Sequence, residues 1–205
     1  MFGNEYVTLR ESTSLVSKGT TGLRTWPAAL YFAEFLLTEE MRNVVNDKQI
    51  LELGSGIGFL GIFLQKINSK INFTFTDCNE EVLDNIKENF KLNFSETPCR
   101  ANKLDWEALD KCDNLTTDIV LATDVVYDLR IIKPLINILN ILLKFNENCQ
   151  IFIASTIRNE DTSELFKKTL DESELLFQLL SPANCDEIFL YDRTAKFEIL
   201  KIYKK

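Results

Sequence analysis

The feature that most constrains the fold of this chain is a rhythm: short, almost continuously apolar runs alternate with longer segments whose apolar residues recur at helical spacing. QILEL (49–53) precedes a helical pattern from about Gly58 to Ile67, and INFTFTD (71–77) precedes another from about Glu80 to Leu92. A weaker strand near Arg100 to Leu104 follows, then DIVLAT (118–123), a helix from about Ile131 to Phe145, and QIFIAST (150–156). Strands that are apolar on both faces and alternate with amphipathic helices predict a mostly parallel, doubly wound α/β sheet covered by helices on each side. After a helix near Glu160 to Leu170 the rhythm changes. LLFQLL and AKFEILKIY follow with only a loop between them, which predicts a C-terminal antiparallel hairpin.

Before the first strand, TWPAALYFAEFLLTEEM carries Ala29, Leu30, Ala33, Leu36 and Leu37 at helical spacing, with Pro27 in the first turn, where its missing N–H costs nothing. Trp26, ahead of that proline, is held extended at the start of the helix. Residues Tyr6 to Val16 alternate loosely like a β-ribbon, and SKGTTG reads as a turn. At 205 residues and 45% hydrophobic, with no repeat and no linker-like stretch, the chain reads as one domain, 1–205. Within it, residues 1–25 are expected to form an N-terminal ribbon and loop covering the site described next.

Composition removes several chemistries. No histidine is present, so Ser-His-Asp triads, Cys-His dyads and histidine-ligated zinc sites are excluded. The five cysteines (Cys78, Cys99, Cys112, Cys149, Cys185) contain no CxxC pair and suggest neither a disulfide framework nor a four-thiolate metal site. With 31 acidic and 23 basic residues the formal charge is -8, which argues against a nucleic-acid backbone as partner and fits a basic protein or a small molecule better. No apolar run approaches a membrane span, and the N-terminal residues do not read as a leader, so a cytoplasmic protein is expected.

The loop after the first strand is ILELGSGIGFLG, with glycines at 54, 56, 58 and 61 and Glu52 two residues before the first. Counted from the strand end it is GxGxG; counted from Gly56 it spells GxGxxG, so spacing alone leans only weakly against a dinucleotide. Glycines let the backbone approach a ligand closely, and Glu52 suits a cationic amino-acid ligand better than a pyrophosphate. Asp77 ends the second strand, where a carboxylate can accept both hydroxyls of a ribose or cap the next helix. Asp105 and Trp106 in KLDW, and Ala122 to Tyr127 in ATDVVY, fall at strand ends on the same edge. There a tryptophan can wall an adenine ring, and Asp124 and Tyr127 place an acid and a phenol at the mouth.

Together ELGSGIG, Asp77, LDW and ATDVVY resemble the seven-stranded, Rossmann-like S-adenosylmethionine-dependent methyltransferases. The DxxY after the fourth strand resembles the mark of their protein-lysine methyltransferases. SKGTTGLRTWPAALYFAEF, ILELGSGIGFLGI, TDCN, LATDVVYD and STIRN resemble, in order, the elongation factor 2 lysine methyltransferase branch, from about Leu9 to Leu200. The resemblance implies a protein-lysine N-methyltransferase using S-adenosyl-L-methionine, acting on elongation factor 2 as a monomer. It also implies that Trp26, Gly54, Ser55, Gly56, Asp77, Trp106 and Ala122 line the cofactor site, with Asp77 on the ribose and Trp106 beside the adenine. Asp124 and Tyr127 would then face the lysine, Asp124 relaying its proton, and the Trp26 ring would favour a sulfonium. Relatives in this branch often carry a further N-terminal region. Rival readings are methylation of another protein or a small molecule, a non-catalytic partner-binding domain of the same fold, and a nicotinamide-dependent oxidoreductase.

Overall fold

The computed structural model describes residues 6–14, 19–108, 115–182 and 185–205. Cys112 and residues 15–18 of the expected ribbon lie outside the described residues. Seven strands form one sheet: β1 (Gln49–Leu53), β2 (Asn72–Asp77), β3 (Ala101–Lys103), β4 (Ile119–Thr123), β5 (Gln150–Thr156), β6 (Leu175–Leu180) and β7 (Phe197–Lys204). Their order is β3-β2-β1-β4-β5-β7-β6. The first five pair in parallel, while β7 runs antiparallel to both β5 and β6. The fold expected from the alternating pattern, including the terminal hairpin, is the fold observed.

Helices α1 (Pro27–Leu36), α2 (Glu39–Val45), α3 (Phe59–Ile67) and α4 (Glu80–Asn93) bury their apolar residues on one face of the sheet against Ile50, Phe73, Phe75, Ile119 and Leu121. Helices α5 (Ile132–Phe145) and α6 (Glu160–Asp171) cover the other face against Leu51, Leu53, Val120 and Ala122. The period of two along each strand divides one apolar run between two cores, which is why β4 and β5 carry no polar alternation. Gly61 sets the spacing on the first face. A Cβ there would lie 2.3 Å from Phe73 and 2.4 Å from Phe75, so α3 reaches β2 only without a side chain at that turn.

Two local expectations are corrected. The run from Trp26 to Met41 is two helices: Thr38 takes an extended ψ of 151° and its hydroxyl accepts from the Met41 N–H at 3.4 Å, capping α2. The described part of the N-terminal segment is extended but has no partner strand. Instead the carboxamides of Asn89 and Asn93, one turn apart on α4, supply the ladder. Asn89 bonds the N–H and C=O of Arg10 at 2.7 and 3.1 Å, and Asn93 bonds those of Thr8 at 2.9 and 2.7 Å. Alternation signals which backbone groups face inward, and here two side-chain amides satisfy them.

The long connection from β6 to β7 returns to α1. Glu34, 2% exposed, accepts from the N–H groups of Ile188 (2.7 Å) and Phe189 (2.9 Å), the Tyr191 hydroxyl (2.7 Å) and both terminal nitrogens of Arg193 (3.0 and 2.7 Å). Because Phe197 opposes Thr156 in the antiparallel register, this loop lies at the carboxyl edge of β5.

Candidate functional site

In this sheet the chain runs from β1 outward through β2 and β3, then returns to the other side of β1 as β4 and continues outward through β5. The crossovers that follow β1 and β4 lie on opposite faces, leaving a crevice outside the carboxyl ends of those two strands. It encloses about 810 Å³ of open space, its mouth included. Trp26, Gly54, Gly56, Asp77, Trp106, Asp124 and Tyr127 all line it, from the ends of β1, β2, β3 and β4 and from the segment before α1.

The floor is the glycine loop. Gly54 has φ +64°, and a Cβ on it would press on Val125 at 3.0 Å and stand 3.7 Å from the Trp106 ring, so a side chain would fill the space between loop and indole. Asp77 is held beside the loop by the N–H groups of Asn79 (3.1 Å) and Gly56 (3.4 Å). Burial nevertheless holds its pKa above the ordinary carboxylate value. The cap of α4 is Asn79, whose side chain accepts from Glu81 and Val82, which leaves Asp77 to face the crevice. Opposite, Thr20, Thr21 and Gly22 form a wall, and the Trp26 indole N–H donates to the Thr21 carbonyl at 3.0 Å.

Two predicted lining residues lie outside this crevice, although Ser55 lines the smaller cavity beside it. Ser55 stitches the loop to β2: its N–H donates to the Thr76 carbonyl at 2.9 Å and its hydroxyl accepts from the Thr76 N–H at 3.0 Å. Ala122 is fully buried on the α5 face, because strand alternation turns it inward; its neighbour Thr123 lines the crevice instead. Asp124 lines the crevice, but both its carboxylate oxygens are engaged, by Thr156 (2.8 and 3.1 Å) and Arg158 (3.2 and 3.0 Å). The Trp26 ring carries two guanidinium groups, Arg158 at 4.8 Å and Arg24 at 5.2 Å from its centre. Tyr127 is 59% exposed at the mouth, and burial of its hydroxyl raises its pKa against an opposing hydrogen bond to Thr21.

Beside the crevice a smaller cavity is lined by Glu52, Arg24, Trp26, Gly54 and Ser55. Glu52 is 1% exposed, and its Oε2 and the Arg24 Nε are buried without a hydrogen-bond partner. Burial, with Asp77 adding repulsion and Ser55 opposing, pushes the Glu52 carboxyl up to about 8. Native interiors seldom leave such atoms unpaired. An acceptor and a cationic donor facing one space fit the α-amino and α-carboxylate groups of an amino-acid moiety, and Asp77 fits a vicinal diol. Sequence reasoning passed over Arg24 and Arg158. Their signal is a basic residue inside GLRTW and another two residues past a strand end, which only spatial proximity to Trp26 makes conspicuous. Among the described residues no group of acidic or cysteine side chains could hold a metal, and no helix is long and apolar enough to cross a membrane.

A family model described as lysine methyltransferase matches residues 4–172. The protein-lysine N-methyltransferase EEF2KMT of Mus musculus is 36% identical over 215 residues, covering 96% of this chain and 62% of its own length. Its counterpart in Homo sapiens is 31% identical, with coverages of 96% and 63%. The chain thus spans less than two thirds of these relatives. Among solved structures, a Bacillus cereus O-methyltransferase in complex with SAH superposes with a TM-score of 0.58 at 12% identity, covering 88% of this chain and 83% of that one. A human methyltransferase 10 domain containing protein gives 0.54 at 12%, with coverages of 88% and 84%. At such identities the structures attest the fold alone.

Proposed function

This chain belongs to the lysine methyltransferase family, and from that premise we propose that it is a protein-lysine N-methyltransferase that uses S-adenosylmethionine and acts on elongation factor 2. The observation that carries the reading is the pair of buried, unpartnered polar atoms, Glu52 Oε2 and Arg24 Nε, beside the glycine loop at the point where the strand order turns. The names of the relatives and the resemblance of the DxxY segment support the substrate class. The described residues act as one cytoplasmic, monomeric catalytic domain, with the segment up to residue 25 as the cover of the cofactor.

When bound, the cofactor supplies a methyl group on a sulfonium. Glu52 and Arg24 would hold its amino-acid end, Asp77 its ribose hydroxyls, and Trp106 with Gly54 its adenine. Trp26 and the Thr20–Gly22 wall keep bulk water off that side. The substrate lysine starts as an ammonium with a reference pKa of about 10.4 and must lose a proton before its lone pair can attack. Partial desolvation of the amine on entering the crevice favours its neutral form. Tyr127, at the mouth, accepts a hydrogen bond from the amine and fixes its direction. Positioning is the main contribution, as for most two-reactant transfers in a preformed cleft.

The test is radiolabelled S-adenosylmethionine with purified unmethylated elongation factor 2, alongside RNA and a metabolite extract. Label on a lysine of the factor is expected, and Tyr127→Phe is expected to slow it about tenfold with S-adenosylhomocysteine affinity unchanged. Label confined to RNA or metabolites would overturn the substrate class.

A further inference from the structure

We propose that Arg158 is a positioning residue of this site: it locks the carboxylate of Asp124 and the indole of Trp26 into one unit, so that Asp124 frames the lysine's approach and does not accept its proton. The inference rests on the methyltransferase reading above and assigns a role to a residue outside the crevice lining.

A carboxylate offers about four acceptor positions. In Asp124 four donors fill them: Oδ1 takes the Thr156 N–H (2.8 Å) and Arg158 Nη1 (3.2 Å), while Oδ2 takes the Thr156 hydroxyl (3.1 Å) and Arg158 Nη2 (3.0 Å). The side chain is only 4% exposed. An arriving ammonium therefore finds the lone pairs occupied and the charge already compensated. The backbone shows that this direction is built in. Asp124 has φ +52°, in the left-handed region that a non-glycine residue enters at a cost, and its N–H is bonded to the Ala154 carbonyl at 2.8 Å. That turn aims the side chain across to β5.

Arg158, with 45% of its side chain exposed, is placed by its backbone neighbours. It follows Ile157, whose N–H is tied to the Lys196 carbonyl at 2.8 Å, and precedes Asn159, the cap of α6. Its guanidinium touches both partners: the fork meets Asp124, and Cζ lies 4.8 Å from the Trp26 ring centre. A lysine could supply the charge but neither the fork nor the stacking plane. The clamp joins the ends of β4 and β5 to the start of α1, and Tyr127 stands three residues beyond Asp124. The lysine's proton would then leave to solvent at the exposed Tyr127 side before the neutral amine takes the methyl that the bound cofactor would supply, the S–C electron pair staying on sulfur.

The experiment uses the full chain in a Trp106→Phe background, so that Trp26 is the sole tryptophan. Three readouts are taken: Trp26 emission, S-adenosylhomocysteine affinity by calorimetry, and methylation of purified elongation factor 2 between pH 6 and 9. Arg158→Ala is expected to shift the Trp26 emission and weaken S-adenosylhomocysteine about threefold, the scale of one lost cation–π contact. It should also lower kcat about tenfold or more through misplacement of the mouth. Arg158→Lys should fall between, and it replaces the alanine variant if melting curves show that variant unfolded. Asp124→Asn should lower kcat while keeping the pH midpoint of the native enzyme. An unchanged Trp26 emission and affinity in Arg158→Ala would overturn the clamp. Faster turnover would mean that Arg158 competes with lysine for Asp124, and a shifted pH midpoint in Asp124→Asn would make Asp124 the proton acceptor; either result overturns the proposal. If the native chain binds S-adenosylhomocysteine yet methylates no protein, the proposed function fails, while the emission and affinity arms still decide the clamp.

Discussion

Glu34 and Glu52 are buried almost equally, at 2% and 1% exposure, and their surroundings are opposite. Glu34 on α1 collects five hydrogen bonds from the β6–β7 connection. Burial alone would raise its pKa, but the Arg193 guanidinium, the Phe189 and Ile188 N–H groups and the Tyr191 hydroxyl together hold it down at about 2. Glu52 at the end of β1 has an oxygen with no partner, and its carboxyl rises to about 8. A buried charge that the chain itself satisfies serves the fold. A buried carboxyl that the chain leaves unsatisfied costs the fold and makes sense as half of an interaction with something else.

The strongest way to break this contrast is Glu34→Ala. It leaves the Ile188 and Phe189 N–H groups and the Tyr191 hydroxyl without their acceptor, at about 1–3 kcal/mol for each that stays buried, so a large fall in unfolding free energy by urea titration is expected. S-adenosylhomocysteine affinity should stay within about twofold, since the change is smaller than a single weak contact. Parallel loss of both would show that the β6–β7 connection and the crevice are one cooperative unit. Next in size, Asp77→Ala should weaken S-adenosylhomocysteine by about 1.5–3 kcal/mol in calorimetry, the scale of lost charge-assisted hydrogen bonds. Its melting temperature without ligand should barely move, because the burial of the Asp77 carboxylate opposes the hydrogen bonds it accepts.

A third test sharpens the comparison through pH. Unfolded, Glu52 titrates near about 4.3; folded, it holds its proton to about 8. Below the lower value both states are protonated and burial costs nothing. As pH rises the unfolded chain releases its proton first, so stability falls through this window, with a limiting slope of about 1.4 kcal/mol per pH unit, and levels off above it. Asp77, also raised by burial, acts with the same sign. No histidine is present to add an imidazole titration. Glu52→Gln should therefore flatten the decline in melting temperature between pH 5.5 and 8.5 and raise stability at the alkaline end, while weakening S-adenosylhomocysteine. A native-like decline in that variant would assign the slope to another group.

By itself the sequence determined the layered α/β sheet, because apolar runs such as DIVLAT and QIFIAST can be buried only between two helical layers. It also determined that Gly54, Asp77, Trp106 and Tyr127 share one edge, since parallel strands put every strand-to-helix turn at the same end. Local chemistry hinted at the Thr38 break, and the single long helix read there overlooked it. Which way each side chain points was decided only by the tertiary structure. Ala122 faces the α5 core and Ser55 faces Thr76. Asp124 turns to Thr156 and Arg158, across a sequence separation of more than thirty residues. The N-terminal segment finds its ladder on two asparagines of α4, some eighty residues away. Periodicity reports burial, a property of one residue and its neighbours along the chain. A hydrogen-bond partner or a pKa depends on which distant groups the completed sheet brings within about 3 Å, and no local pattern encodes that.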